Sequence, residues 1–358
     1  MHSDDLLPGD TPLSLIDEEG SGHPREHHPF PSADSLLEGY RHLVLGRRLN
    51  EQADALVRQG KLAVYPSSFG QEAAEVAAAL VLDEQDWLFP TYRDTVAVIT
   101  RGVDPFDALL MLRGDWHSGY DPHAHHVAPQ ATPLATQLLH AVGFAHAARL
   151  RGEDTVVLAM CGDGATSEGD FHEALNFAAV FQLPVVFLVQ NNGYAISVPL
   201  RRQTAAPSLA HKGIGYGMRG RLVDGNDLAA LLAVLGDAVG EARDGGGPTL
   251  VEAVTYRVKP HTNADDATRY RTADEVEPWL ARDPLLRMRT WLRAQGMLGE
   301  GDDAEIHAHA ESVAVRVRGR LVADAQPHPE DLFAYVYATP TPQLREQAQQ
   351  LAAEEAAR

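Results

Sequence analysis

Along the chain, apolar positions first fall into a helical rhythm near residue 35: Leu36, Leu37, Tyr40, Leu43 and Val44 recur three or four apart. Residues 71–82, QEAAEVAAALVL, predict a second helix whose alanines suit close packing. Residues 86–94, DWLFPTYRD, predict a short strand or turn that ends in a loop, and residues 133–150 predict a long helix with small residues along it. Then the rhythm changes. TVVLAM (155–160) and LPVVFLVQ (183–190) are short apolar runs of the kind buried strands require. Between them, EGDFHEALNFAAVF (168–181) is amphipathic at helical spacing. Residues 222–244 read as a loop followed by a helix, and PTLVEAVTYRV (248–258) as another strand.

Strands alternating with helices of this length predict an α/β fold, a doubly wound and mostly parallel sheet with helices on both faces. Residues 34–325 are assigned to that domain, helical after Pro284, and residues 326–358 to a charged, exposed helical tail. Residues 1–33 are rich in Pro, Gly, His and acids, and their few apolar anchors predict a flexible arm. No internal repeat with a period of 20–50 residues is found.

The chain has 358 residues, 44% of them hydrophobic, which is enough for a sizeable core. The formal net charge of −20 excludes a protein that tracks a nucleic-acid backbone with a basic face. It also means that any anionic ligand needs local donors, and a metal, to overcome the field of the whole chain. The one cysteine, Cys161, forms no intrachain disulfide and fits a reducing cytoplasm. No apolar run reaches the length of a membrane span, and the opening residues MHSDDLLPGD lack the features of a secretory signal.

Against that background CGDGATSEGD (161–170) stands out, together with the NN pair at 191–192. In a doubly wound sheet, ligands collect at the carboxyl ends of the strands. Both segments leave strands at that end, so a crossover helix can set them side by side. Gly162 and Gly164 let backbone N–H groups approach a phosphate, and the helix that follows directs its N-terminus there. Asp163 cannot attract an anion, but it can hold a cation. A carboxylate, an amide oxygen and a backbone carbonyl are hard donors suited to magnesium, with phosphate oxygens completing the shell. GDG or NNG alone is often a turn. The pair flanking one strand–helix–strand unit is far more specific and points to a Mg–diphosphate site. A magnesium-dependent nucleotide phosphohydrolase using Asp163 as nucleophile or ligand stays open, as does a non-catalytic scaffold subunit.

GDG, the helix and NN together resemble the thiamine diphosphate motif. The order SFGQEAAEV (68–76), LFPTYRD (88–94), TPLATQ (132–137), GDGATSEGDFHEALNFAA (162–179), VQNNGYAIS (189–197), VDGND (223–227), GPTLVEAVTYRV (247–258) and PHTNADDATRYR (260–271) is similar to the alpha subunit of the decarboxylating dehydrogenase component of 2-oxo acid dehydrogenase complexes. The resemblance covers residues 38–345. It implies metal ligation by Asp163, Asn192 and the Tyr194 carbonyl, and diphosphate contacts from Tyr92, Arg93 and the backbone of Gly164 and Ala165. It implies that Leu134 props the cofactor in a bent conformation, that Thr132 contacts its aminopyrimidine, and that His261 and His126 are active-site histidines. His123, His125 and His126 are also readable as an exposed cluster or an adventitious transition-metal site. The loop 263–271 is implied to fold over the diphosphate, using Arg269 and Arg271.

Two departures stand out: Gln190 replaces an arginine, and Ala131 a serine, of some branched-chain relatives. The family's aminopyrimidine-activating glutamate comes from a beta subunit. The resemblance therefore implies an α2β2 heterotetramer, inactive as this chain alone, that docks through lipoyl domains on an acyltransferase core. The implied reaction is oxidative decarboxylation of a 2-oxo acid with acyl transfer to lipoamide. A branched-chain substrate is favoured over pyruvate, with acetoin dehydrogenase third.

Overall fold

In the computed structural model, alternate side chains of the central strands separate cleanly into two cores. Leu158, Met160, Val186, Leu188, Val251 and Ala253 join one apolar cluster, and Val157, Ala159, Cys161, Val185, Phe187, Val189 and Leu250 join another. That period-two division is what a sheet buried on both faces produces. The structure describes residues 6–25, 27–114, 119–323, 329–334 and 336–357.

Helix α1 (Ala33–Arg58) is capped by the Ser32 side chain. Helix α2 (Glu72–Leu80) is buried nearly all round. Strand β1 (Trp87–Phe89) is followed by α3 (Thr95–Thr100), α4 (Pro105–Arg113), the single turn α5 (Pro122–His125) and α6 (Thr136–Arg151). Then come β2 (Val157–Gly162), α7 (Gly169–Val180) and β3 (Val185–Asn191). A two-residue hairpin, β4 (Tyr194–Ala195) and β5 (Val198–Pro199), leads to β6 (Arg219–Asp224), α8 (Leu228–Arg243) and β7 (Thr249–Val254). Helices α9 (Ala273–Ala281), α10 (Pro284–Ala294), α11 (Glu300–Val322), α12 (Asp331–Ala334) and α13 (Pro342–Ala356) follow. No buried residue lies in α12 or α13. The main sheet runs β1-β2-β3-β7-β6, every pair parallel. Helices α1, α2 and α8 supply one covering layer, and α6 and α7 the other.

Two expectations from sequence are corrected. Residues 219–224 form an edge strand where a loop is expected for its second half; their mixed burial along the strand hides the period. The arm is also seated where described. Leu13 pairs in parallel with Val223 on that edge, and Leu15 and Ile16 are fully buried. Asp227 explains the anchor. Its Oδ2 accepts the backbone N–H groups of Leu15 and Ile16, both at 2.7 Å, while Oδ1 caps α8 through Ala229 and Ala230. One carboxylate thus satisfies donors from segments more than two hundred residues apart, a pairing no local pattern encodes. Among the described residues no helix is long and apolar enough to cross a membrane.

Candidate active site

Strands β2 and β3 pair in register to their ends, with Gly162 opposite Gln190. The loops leaving them are therefore neighbours. A 3-10 turn (Asp163–Ser167) separates β2 from α7, so the GDG segment does not open directly into the helix as expected. A β-carbon built on Gly164 would lie 2.8 Å from Ala195 Cβ, so only glycine lets the two loops approach this closely. They border a cavity of about 380 Å³ whose lining includes Asp163, Gly164, Ala165, Asn192 and Tyr194. Tyr92, Arg93, Leu134 and His261 line it as well.

Asp163 is buried. Its Oδ2 accepts a 2.7 Å hydrogen bond from Gln203 Nε2, while Oδ1 is buried with no hydrogen-bond partner among the described residues. Burial pushes its carboxyl above the usual range, and the Gln203 bond opposes that shift. The two asparagines divide their labour. Asn191 donates to Glu252 on β7 and braces the sheet. Asn192 reaches the cavity, its Oδ1 accepting from Tyr194 N at 3.2 Å and its Nδ2 donating to Gln71 at 2.7 Å.

Arg93 is buried and makes three bonds at one corner: to the Ser67 carbonyl (2.9 Å), the His261 carbonyl (3.0 Å) and His261 Nδ1 (3.1 Å). A guanidinium only donates, so Nδ1 accepts and the neutral ring carries its proton on Nε2. Burial lowers the His261 pKa to about 4, assisted by the charges of Arg93 and Arg257. The ring is therefore neutral near pH 7.

Several residues lie elsewhere than expected. His126 does not line this cavity. Its carbonyl pairs with Leu88, its ring stacks on Trp87 at 5.2 Å, and its Nδ1 meets the Glu84 carbonyl. These contacts hold it at the β1 edge. Thr132 is exposed and is not in the lining either, although its neighbours Ala131 and Pro133 are. Arg271 is not free to meet a diphosphate, because it donates to the carbonyls of Arg257, Val258 and Lys259. Gln190, by contrast, lines the cavity, with its Nε2 donating to Asp94 Oδ1 at 2.6 Å. Among the described residues no group of three or more His, Cys, Asp or Glu side chains is placed to hold a metal, so the histidine cluster is not one.

Sequence reasoning missed Gln71, Gln203 and Arg257. Gln71 lies inside the FGQEAAEV stretch, but its partner Asn192 is 121 positions away. Arg257 is fully buried and donates to the carbonyls of Tyr194 (3.2 Å) and Ile196 (2.6 Å). It reads as one cation in a strand-like run, and only the fold turns it toward the loop after Asn192.

The sequence profile of the family described as Dehydrogenase E1 component matches residues 40–320. The chain belongs to this family. It is 48% identical over 345 residues to a 3-methyl-2-oxobutanoate dehydrogenase subunit alpha of Mycobacterium tuberculosis, a match spanning 96% of this chain and 94% of that one. It is 38% identical over 295 residues to a pyruvate dehydrogenase E1 component subunit alpha of Staphylococcus aureus, spanning 82% of this chain and 80% of that one. Dehydrogenase E1 components depend on thiamine diphosphate. The residues present fit the diphosphate end of such a cofactor: a buried carboxylate oxygen without a partner among the described residues, hard oxygen donors beside it, and a glycine whose missing side chain lets the two loops close on one another.

Proposed function

We propose that the chain is the alpha subunit of a branched-chain 2-oxo acid dehydrogenase that binds thiamine diphosphate with Mg2+ at the β2–β3 loops. The observation that carries this reading is the buried Oδ1 of Asp163, without a partner among the described residues, on a residue that lines the same cavity as Asn192. Asp163 Oδ1, Asn192 Oδ1 and the Tyr194 carbonyl would hold the magnesium. The Tyr194 carbonyl has a second lone pair beyond the one facing Arg257. Tyr92, Arg93 and the backbone of Gly164 and Ala165 would hold the diphosphate.

When bound, the cofactor would supply a nucleophilic carbon and the electron sink for decarboxylation. The chain's own residues orient and neutralise. Arg93 supplies positive charge to an otherwise acidic protein and fixes His261 through Nδ1. His261, neutral with its proton on Nε2, is poised to donate a hydrogen bond at the cavity. Leu134, apolar and 45% exposed at the wall, is placed to support the body of a bent cofactor.

Completion of the site by a beta subunit is part of the same reading. Leu134, Ile196 and Val198 all line the cavity yet are exposed, an apolar rim that a partner surface would cover. The proposed assembly is an α2β2 heterotetramer serving a lipoyl-bearing acyltransferase, with the activating glutamate on the beta side. The branched-chain assignment is supported by 48% identity across nearly the whole chain to a subunit of that name.

The test is reconstitution with a cognate beta subunit, with rates measured on 2-oxoisovalerate and on pyruvate in the presence of thiamine diphosphate and Mg2+. A kcat/KM preference for 2-oxoisovalerate is expected, and Asp163→Ala should abolish turnover. A pyruvate preference would overturn the substrate. Thermal stabilisation by Mg-ATP with no response to thiamine diphosphate would overturn the site.

A further inference from the structure

Two glutamines bracket the metal end of the cavity, and neither belongs to the proposed ligand set. We infer that Gln203 and Gln71 are positioning residues that aim the ligand oxygens of Asp163 and Asn192 into the cavity. The inference rests on the Mg–diphosphate reading of this site.

The hydrogen-bond roles follow from which atoms can donate. Gln203 Nε2 lies 2.7 Å from Asp163 Oδ2 and 3.0 Å from the Val198 carbonyl. Both neighbours only accept, so the atom between them is the amide nitrogen. The other orientation would set the amide oxygen against a carboxylate and a carbonyl. Gln203 therefore occupies Oδ2 of Asp163, and Oδ1 is left as the oxygen without a partner among the described residues. It also bridges the 3-10 turn after β2 to the hairpin after β3, so it sets the spacing of the two ligand-bearing loops.

The same reasoning orients Asn192. Tyr194 N–H donates to it at 3.2 Å, so the atom there is Oδ1. The nitrogen Nδ2 then faces Gln71, and Gln71 must present Oε1, at 2.7 Å. That leaves Gln71 Nε2 buried, unpartnered among the described residues, on a side chain that lines the cavity. An unpaired buried N–H donor costs free energy unless an acceptor meets it. A phosphate oxygen is the acceptor that a diphosphate bound here would supply. Gln71 thus holds the Asn192 amide with one end and offers a donor with the other. Both glutamines are uncharged, so they orient the ligands without adding to or cancelling the carboxylate charge that draws the cation.

Groups that orient metal ligands typically change metal affinity about 10–100-fold when removed. The experiment uses the reconstituted alpha–beta enzyme. Mn2+ serves as the metal probe at fixed thiamine diphosphate, with free Mn2+ read by electron paramagnetic resonance. Gln203→Met keeps the chain length and deletes the donor, and Gln203→Asn keeps the amide but withdraws it. Gln71→Met is the independent arm. Each folded variant should raise the Mn2+ concentration at half-saturation about tenfold or more, and excess metal should recover the lost turnover. The cofactor-free melting temperature should stay close to that of the parent.

Unchanged half-saturation in the folded Gln203 variants overturns the inference, as does a loss that excess metal does not rescue. Asp163→Asn separates the two layers. If it loses Mn2+ binding while the glutamine variants retain theirs, the positioning roles fail and the site stands. If Asp163→Asn binds Mn2+ normally, the site itself fails.

Discussion

Gly164→Ala is the sharpest test of how closely the two loops must approach. The added Cβ would sit 2.8 Å from Ala195 Cβ and 3.4 Å from Ala195 Cα. Carbon atoms in contact prefer about 3.5–4.0 Å, so the loops must separate by about 1 Å. Neither obstructing atom lies at the end of a flexible side chain, so the backbone has to move. Overpacking of this kind costs about 1–3 kcal/mol. The functional cost is larger. The moving segments carry Asp163 on one side and Tyr194 on the other, next to the two clashing residues. Magnesium tolerates little departure from octahedral geometry, and a misplacement of about 1 Å can cost roughly 100-fold in rate. We therefore expect a stability loss of about 1–3 kcal/mol by urea unfolding, with kcat/KM of the reconstituted enzyme falling about 100-fold. Ala195→Gly in the same chain removes the nearer obstructing atom and should restore much of both, giving a coupling energy in a double-mutant cycle. A Gly164→Ala enzyme with parental metal half-saturation and parental kcat/KM would refute the reasoning, as would strictly additive effects of the two substitutions.

Two further outcomes follow from the structure. The lowered pKa of His261 means that the folded chain binds fewer protons there than the unfolded chain. This contribution to stability is complete above the ordinary value of about 6.5 and is lost as pH falls through about 4; melting temperatures across that window should decline less steeply in His261→Gln, and equal slopes would contradict the assignment. Asp227→Ala removes the α8 cap and strands the buried N–H groups of Leu15 and Ile16, for a predicted loss of about 2–5 kcal/mol, with faster tryptic cleavage at Arg25. Unchanged melting and proteolysis would show that the arm is held by other contacts.

The sequence by itself determined the layered architecture and the two loops that matter. Its apolar runs at 155–160 and 183–190 are short and unbroken because those strands are covered on both faces, and burial on both faces erases alternation. It also marked Asp163, Asn192, Tyr92, Arg93, Leu134 and His261, all of which line one cavity. Asp163 and Asn192 sit in strings whose chemistry is readable without coordinates, whereas Tyr92, Arg93, Leu134 and His261 were marked by the family resemblance. Only the tertiary structure decided which oxygen of Asp163 is left without a partner among the described residues, because Gln203, forty positions away, takes the other. The same holds for Gln71 opposite Asn192, and for Asp227 fastening the arm through Leu15 and Ile16. His126 gives the converse case: a histidine-rich string suggested chemistry, but pairing with Leu88 and stacking on Trp87 hold it at the β1 edge. Periodicity records which face of an element is buried. It carries no information about which distant polar atoms will meet once those faces are packed, because those partners are set by the crossovers and not by the spacing along the chain.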